Sequence, residues 1–400
     1  MIRLPEVPAA QRPMLRFLLV LTVASLAGLQ GWRTLFNNFA VEVAGLGGDQ
    51  VGMIQAVREV PGFLALLAVW VMVVIAEHRL SALSIVVLGL GTAATGLFPS
   101  YLGLACTTLA MSFGFHYYET TNQSLTLQYF DRGTAPLVLG ALRSAGAATN
   151  IAVGVLIFAV SSLLDYRQMF LLIGLPVAAL GVWGLLQRPV DRDLIPQHKH
   201  MVCRRRYGLF YFLTFMAGAR RQIFMAFSVF LLVKVFAFSV KEVTVLFVVN
   251  NLVGYVAAPL LGRAIVRFGE RRVLSVEYAG LILVFLGYAW TDSRWVAAGL
   301  YVADHLLFSF SMAVTTYFQQ VADPADLAPS MAVGFTINHI AAVILPVVGG
   351  LLWVVDHRIP FVAAAAMSGI SLVAVQWIPA SLRAAAARPP IQGPPNVRVS

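Results

Sequence analysis

Residues 188–206 read RPVDRDLIPQHKHMVCRRR, a polar, basic, proline-bearing stretch that divides an otherwise apolar chain in two. On either side the sequence is hydrophobic on a scale that water-soluble cores do not use. Of all residues 59% are hydrophobic and 12% charged, against roughly 45–50% and about 25% in soluble domains. The mean hydropathy is +0.81. Apolar runs fall at about 14–41, 50–75, 80–98, 101–130, 134–161 and 167–187 before the polar stretch. After it they fall at about 207–237, 242–266, 273–290, 295–321, 328–354 and 359–380. Each approaches or exceeds the ~20 residues a helix needs to cross a bilayer. The pattern predicts an all-α membrane protein, with twelve transmembrane helices in two six-helix bundles. Its parts are a cytoplasmic N-terminus (1–13), a first bundle (14–187), a cytoplasmic linker (188–206), a second bundle (207–381) and a disordered cytoplasmic tail (382–400).

The net charge of +10 would suit a nucleic-acid partner, but its location points elsewhere. Most of the 28 Lys and Arg sit in the N-terminus, the even-numbered loops and the C-terminus. The opposite loops hold only Arg167, Lys241, Arg294 and Arg358. This is the positive-inside asymmetry, which predicts an inner-membrane protein with both termini cytoplasmic and no nucleic acid bound. Residues 1–13 lead directly into the first apolar run and read as an uncleaved signal-anchor. Cys106 lies in a span and Cys203 in the linker, too far apart to pair. His198, His200 and Cys203 carry donor atoms a soft metal could use, yet a basic linker is expected to be solvated, and no metal is predicted. The chain lacks a Gly-x4-Gly-Lys-Ser/Thr phosphate loop and any catalytic serine or metal signature, so neither a cofactor nor an enzymatic activity is expected.

A weak internal repeat supports the six-plus-six division. At an offset of 193 residues Glu77-His78-Arg79 falls on Glu270-Arg271-Arg272, and Ala135-Pro136 on Ala328-Pro329. At 192, Val41-Glu42-Val43 meets Val233-Lys234-Val235. The loop between spans 8 and 9 reads Gly262-Arg-Ala-Ile-Val-Arg267-Phe-Gly269-Glu-Arg271-Arg272. It resembles the major facilitator signature that joins two helices through spaced glycines and a basic pair. Its glycines suit close packing and a tight turn, and its arginines can meet helix C-terminal carbonyls. Val266 departs from the family, which usually has Asp there. In the first half Val69, Val74 and Ala76 replace the expected Gly, Arg and Gly. The resemblance implies a secondary transporter working by alternating access around a midplane site.

That fold lines its cavity with the first, second, fourth and fifth helices of each half, and the charges follow this rule. Spans 3, 6 and 12 carry no interior charge, and span 9 carries only Glu277, near its start. Buried ionisable groups are costly in a bilayer, so those present should face a cavity or a partner. The expected substrate-binding set is Arg33, Arg143, Asn150, Arg220, Arg221, Asn250, Asn251 and His339. The expected proton-coupling set is Glu59, His116, Glu119, Asp304 and His305. Gly262, Arg267, Gly269, Arg271 and Arg272 form the conformational motif. Arg suits carboxylate and phosphate through its planar fork. Arg220, Arg143 and Glu119 are expected to be central, with Arg220 about 20 Å along span 7 by the helical rise. Arg33 and Arg58 lie near enough the outer face to gate it. Arg58 and Glu59, adjacent in sequence, are expected to point apart and to need partners on other helices. The reading is a monomer that transports a small anionic or zwitterionic organic solute, coupled to protons, with the lipid bilayer as its surroundings. The alternatives are an exporter of amphipathic drugs or siderophore-like compounds, and a non-transporting receptor or assembly protein on the same fold.

Overall fold

A computed structural model describes residues 5–190, 195 and 197–387. The described residues form two successive groups of long helices. The first half comprises α1 (Arg12–Glu42), α2 (48–74), α3 (Glu77–Thr95), α4 (Tyr101–Tyr129), α5 (Ala135–Val160) and α6 (Tyr166–Leu186). The second comprises α7 (208–234), α8 (Val240–Phe268), α9 (Glu270–Trp290), α10 (Arg294–Val321), α11 (Leu327–Val355) and α12 (Arg358–Ala386). Ten of these are long and apolar enough to cross a membrane; the polar α4 and the equally long α11 complete two sets of six. Helix starts are written in local chemistry. Ser100 caps α4, and capping boxes built on Asp165 with Gln168 and on Ser239 with Glu242 open α6 and α8. Three cavity-side helices are irregular. α2 tightens to a 3-10 turn at Leu64–Leu67 just after Pro61, α7 widens to a π turn at Phe224–Ser228, and α10 has a 3-10 turn at Ser309–Ser311.

The helices poorest in interior charge pack on the outside of each half. α3 lies against α6 and α9 against α12. Glycine makes the first pairing possible, since a Cβ on Gly89 would come within 2.3 Å of the backbone nitrogen of Ala178. Small residues at such contacts let membrane helices approach closely.

The repeat seen in the sequence is realised as a repeated bond. Glu77 at the start of α3 accepts from Gln128 at the end of α4 at 2.7 Å. Glu270 at the start of α9 accepts from Gln320 at the end of α10 at 2.5 Å. In the loop between α8 and α9, Gly269 takes φ +78°, a conformation that favours glycine. Gly262 lies so close to α5 that a Cβ would stand 2.5 Å from the carbonyl oxygen of Pro136. Arg271 donates to the side chain of Gln376 at 2.9 Å rather than to a helix-end carbonyl, and Arg267 lies over the ring of Phe268.

The linker is more ordered than its composition suggests. Asp326, fully buried in the α10–α11 loop, accepts from Arg204 at 2.6 Å, Tyr207 at 2.6 Å, His198 at 2.7 Å and Arg206 at 3.1 Å. Burial alone would raise the pKa of its carboxyl. The bonds from Arg204, Tyr207 and His198 outweigh that and hold it below the usual value. The expectation of a solvated linker is therefore corrected at His198, whose partner lies 128 residues away in sequence. Cys106 and Cys203 are free and exposed. At the other end, α12 continues to Ala386, past the start expected for the tail. The remainder of that tail, 388–400, lies outside the described residues.

Candidate functional site

The two halves meet along two seams and leave a cleft between them. In the first seam α5 lies on α8. Ser144 donates to the Tyr255 carbonyl at 2.6 Å, Asn150 donates to Asn251 at 3.0 Å, and a Cβ on Gly140 would stand 2.6 Å from the Ala258 carbonyl oxygen. In the second, α11 lies on α2 and α4, and the 3-10 turn of α2 offers the Leu66 N–H to Thr336 at 3.0 Å. The linker face is shut. Gln319 donates to the carbonyls of Leu127 and Phe130 at 2.6 and 2.7 Å, and Arg132 donates to that of Gln320 at 3.2 Å. Among the described residues, the hydrogen bonds between halves run from this face to the level of Asn150 and Asn251 and no farther. On the side away from the linker Arg33 and Asn37 of α1 and Arg221 of α7 are exposed, as they would be along a cleft open to that face.

Adjacent polar pairs sort themselves by helical angle. Neighbours on a helix point about 100° apart, so one member can face the bundle core and the other the cleft. On α7, Arg220 is buried, while Arg221 is exposed to the cleft with its guanidinium 5.3 Å from the ring of Phe308. On α10, Asp304 is buried and His305 half-buried, within electrostatic reach of Arg221 and Arg143. On α8, Asn250 is buried and Asn251 reaches across to Asn150. This corrects the expectation that Arg220, Asn250 and Asp304 line the cavity. Arg220 instead donates to Ser371 at 2.5 Å and stacks 4.6 Å over Tyr278. It shares its surroundings with Asp304 and with Glu277, a residue of α9 outside the expected binding and coupling sets. All three charged groups are enclosed in the second half.

The cleft itself gathers Arg33, Arg58, Glu59, Glu119, Arg143 and Arg221. Arg33 is within electrostatic reach of Arg58, Arg221 and Glu59, and Arg221 of Glu59, Glu119 and Arg58. Arg33, Arg143 and Arg221 are nonetheless solvent-accessible, as expected of groups on a water-filled wall. Two pairings differ from expectation. Arg58 and Glu59 bind each other at 2.5 Å, because the long guanidinium chain swings round the helix to its neighbour. Arg143 reaches over the seam to the Ser309 carbonyl at 2.9 Å, at the 3-10 turn of α10. Glu119 accepts from Gln123 at 3.0 Å and stands within electrostatic reach of Arg143 without an ion pair. Deeper in, Glu59, His116 and His339 converge, their ligating atoms within 4.8 Å of one another. Sequence spacing could not reveal that cluster, since α2, α4 and α11 each supply one member.

Comparison with known proteins agrees with this architecture. Residues 12–337 match the family profile of the Major Facilitator Superfamily. In overall shape the chain is similar to the fucose:proton symporter FucP of E. coli in its outward conformation. The TM-score is 0.75 at 12% identity, covering 91% of this chain and 98% of that one. It is also similar to the human organic anion transporter MFSD10, with a TM-score of 0.71 at 13% identity over 92% of this chain and 100% of that one. In sequence, 129 residues are 27% identical to the class C tetracycline resistance protein of Escherichia coli. That match spans 32% of this chain and about a third (33%) of the length of the curated relative.

Proposed function

The chain belongs to the Major Facilitator Superfamily of secondary transporters, and from that premise we propose that it carries a small anionic or zwitterionic organic solute, coupled to protons, by alternating access. The observation that carries this reading is the charge balance of the cleft. Among the described residues Arg33, Arg143 and Arg221 have no carboxylate within ion-pairing distance, and only Arg58 is matched, by Glu59. Guanidinium groups held in a cleft without counter-charges are costly, and an incoming carboxylate or phosphate offsets that cost through charge-assisted bonds. Arg143 and Arg221 belong to different halves, so an anion bridging them would draw the halves together. The half-buried Glu119, between the same arginines, is the residue proposed to carry the proton.

The test is uptake into proteoliposomes under an imposed pH gradient, run over organic anions, zwitterions, sugars and cations. Anions or zwitterions should accumulate. Arg143→Gln and Arg221→Gln should each weaken binding of the accepted solute by ~1.5–3 kcal/mol, roughly ten- to a hundredfold. Unchanged affinity in both variants would leave the anion reading without its main support. The partial likeness to a tetracycline resistance protein favours a second reading, export of amphipathic drugs. In that case cells lacking the protein should be more drug-sensitive and the anion panel should give no accumulation.

The charge asymmetry of the loops supports an inner-membrane location with the linker face in the cytoplasm, which makes this conformation outward-open. In a Cys106→Ser background, a membrane-impermeant thiol reagent should label Cys203 only from the cytoplasmic side. Labelling from outside intact cells would reverse the orientation.

A further inference from the structure

We infer that Glu59, His116 and His339 form a binding site for a divalent transition-metal ion of the Zn2+ class, assembled across the two halves of the transporter. The three ligating atoms lie within 4.8 Å of one another, and small side-chain rotations would bring them to the roughly 3.4 Å spacing of tetrahedral ligands bound at about 2.0–2.1 Å. The histidine rings stand nearly perpendicular, 79° apart, with centroids at 4.9 Å.

The proton arrangement of both rings is fixed by what surrounds them. Nδ1 of His339 lies 2.9 Å from the Phe335 carbonyl oxygen, and Nδ1 of His116 lies 2.9 Å from that of Ser112. A carbonyl can only accept, so each Nδ1 carries the hydrogen and each Nε2 is left with its lone pair. The Ser112 hydroxyl, also 3.0 Å from Nδ1 of His116, donates its own hydrogen to the Arg58 carbonyl and is thereby an acceptor for the ring. Backbone acceptors that fix Nδ1–H and aim Nε2 are the usual outer shell of metal-binding histidines. Arg58 holds one oxygen of Glu59, which orients the carboxylate and leaves the other oxygen to bind. Gly62 provides the room. A Cβ there would come within 2.4 Å of Nε2 of His339 and 2.9 Å of Cδ2 of His116.

Two imidazoles and one carboxylate make a three-ligand set with an open fourth position, suited to Zn2+, Co2+ or Ni2+ and poorly suited to Mg2+ or Ca2+. The guanidiniums of Arg58, Arg33 and Arg221 oppose a dication, so the site is weaker than a structural zinc centre and reversible. Its location gives it a consequence. Glu59 and His116 belong to the first half and His339 to the second, so the set is complete only while α11 packs against α2 and α4. A bound ion therefore stabilises this conformation and resists the switch to the alternate one.

The experiment uses the full chain in detergent. Co2+ should give the intense visible absorption of a four-coordinate site at one equivalent, and excess Zn2+ should remove it. The band should survive in a His198→Gln, His200→Gln, Cys203→Ser variant, which removes the donor atoms of the linker. His339→Gln and His116→Gln should each weaken binding at least tenfold. Unchanged binding in those two variants would overturn the proposal. So would a wild-type spectrum with only the faint absorption of octahedral Co2+, a result that stands even if the variants fail to fold. Tight binding of Mg2+ in competition with Zn2+ would exclude the ligand set argued here.

Discussion

A chain in which Arg220 is replaced by Gln is expected to lose most of its folded population, whereas Arg221→Gln is expected to fold and to lose substrate affinity only. The two residues are adjacent, yet one is enclosed and the other lines the cleft. Removing the Arg220 guanidinium takes away its bond to Ser371 and its stacking on Tyr278, and it leaves the buried Glu277 and Asp304 without the cation within their electrostatic reach. Losing that charge-assisted bond inside the packed second half costs about 1.5–3 kcal/mol, a large part of a typical stability. The effect should appear as a lower melting temperature and reduced monodisperse yield. Adding Glu277→Gln and Asp304→Asn to Arg220→Gln should recover part of the stability, because the buried carboxyls that face Arg220 are then replaced by groups that need no nearby cation. A stable Arg220→Gln with weakened solute binding would return Arg220 to the cavity lining.

The second large effect is expected at Glu119. Gln keeps the size and hydrogen-bonding reach of a protonated carboxyl but cannot release a proton. If Glu119 is the carrier, Glu119→Gln should still bind and exchange solute across the membrane, yet fail to concentrate it. With one proton per solute, each pH unit of imposed gradient corresponds to about 1.4 kcal/mol, or about tenfold accumulation. The variant should therefore fall from roughly tenfold per pH unit to equilibration. Full pH-driven accumulation would remove Glu119 from the coupling step, and loss of the folded protein would mark it as structural.

The fold was legible in the sequence because bilayer physics writes it in large letters. Runs of about twenty apolar residues, loop charge and one polar linker sufficed for the two bundles of six. The absence of charge from spans 3, 6 and 12 also foretold which helices lie outside. The site was legible only in part. Composition along a span says that a charge is present but not which way it points, and at Arg220/Arg221, Asp304/His305 and Asn250/Asn251 a 100° step separates cleft from core. Nor could spacing anticipate the pairing of Arg58 with Glu59, a matter of one flexible side chain. The docking of the linker on Asp326 and the cluster of Glu59, His116 and His339 depend on residues far apart in sequence. Only the packed halves bring them together.

The closed linker face holds one more implication, for the balance between conformations. Its bonds between halves run from Gln319, Arg132 and Arg143 to main-chain oxygens, and among the described residues no ion pair there joins one half to the other. Taken at a net ~0.5–1.5 kcal/mol for each Gln319 bond and ~1.5–3 kcal/mol for each guanidinium bond, the four amount to ~4–9 kcal/mol. Inverting a two-state population from 1:99 to 99:1 takes about 5.5 kcal/mol. A lock of that size is strong enough to keep the resting protein almost wholly on one side. It is also weak enough for the binding energy of a single small solute to turn it over. Because its acceptors are uncharged and do not titrate, this lock itself should vary little with salt or pH, leaving the cargo, its proton and a metal ion bound between the halves as the inputs that move the balance.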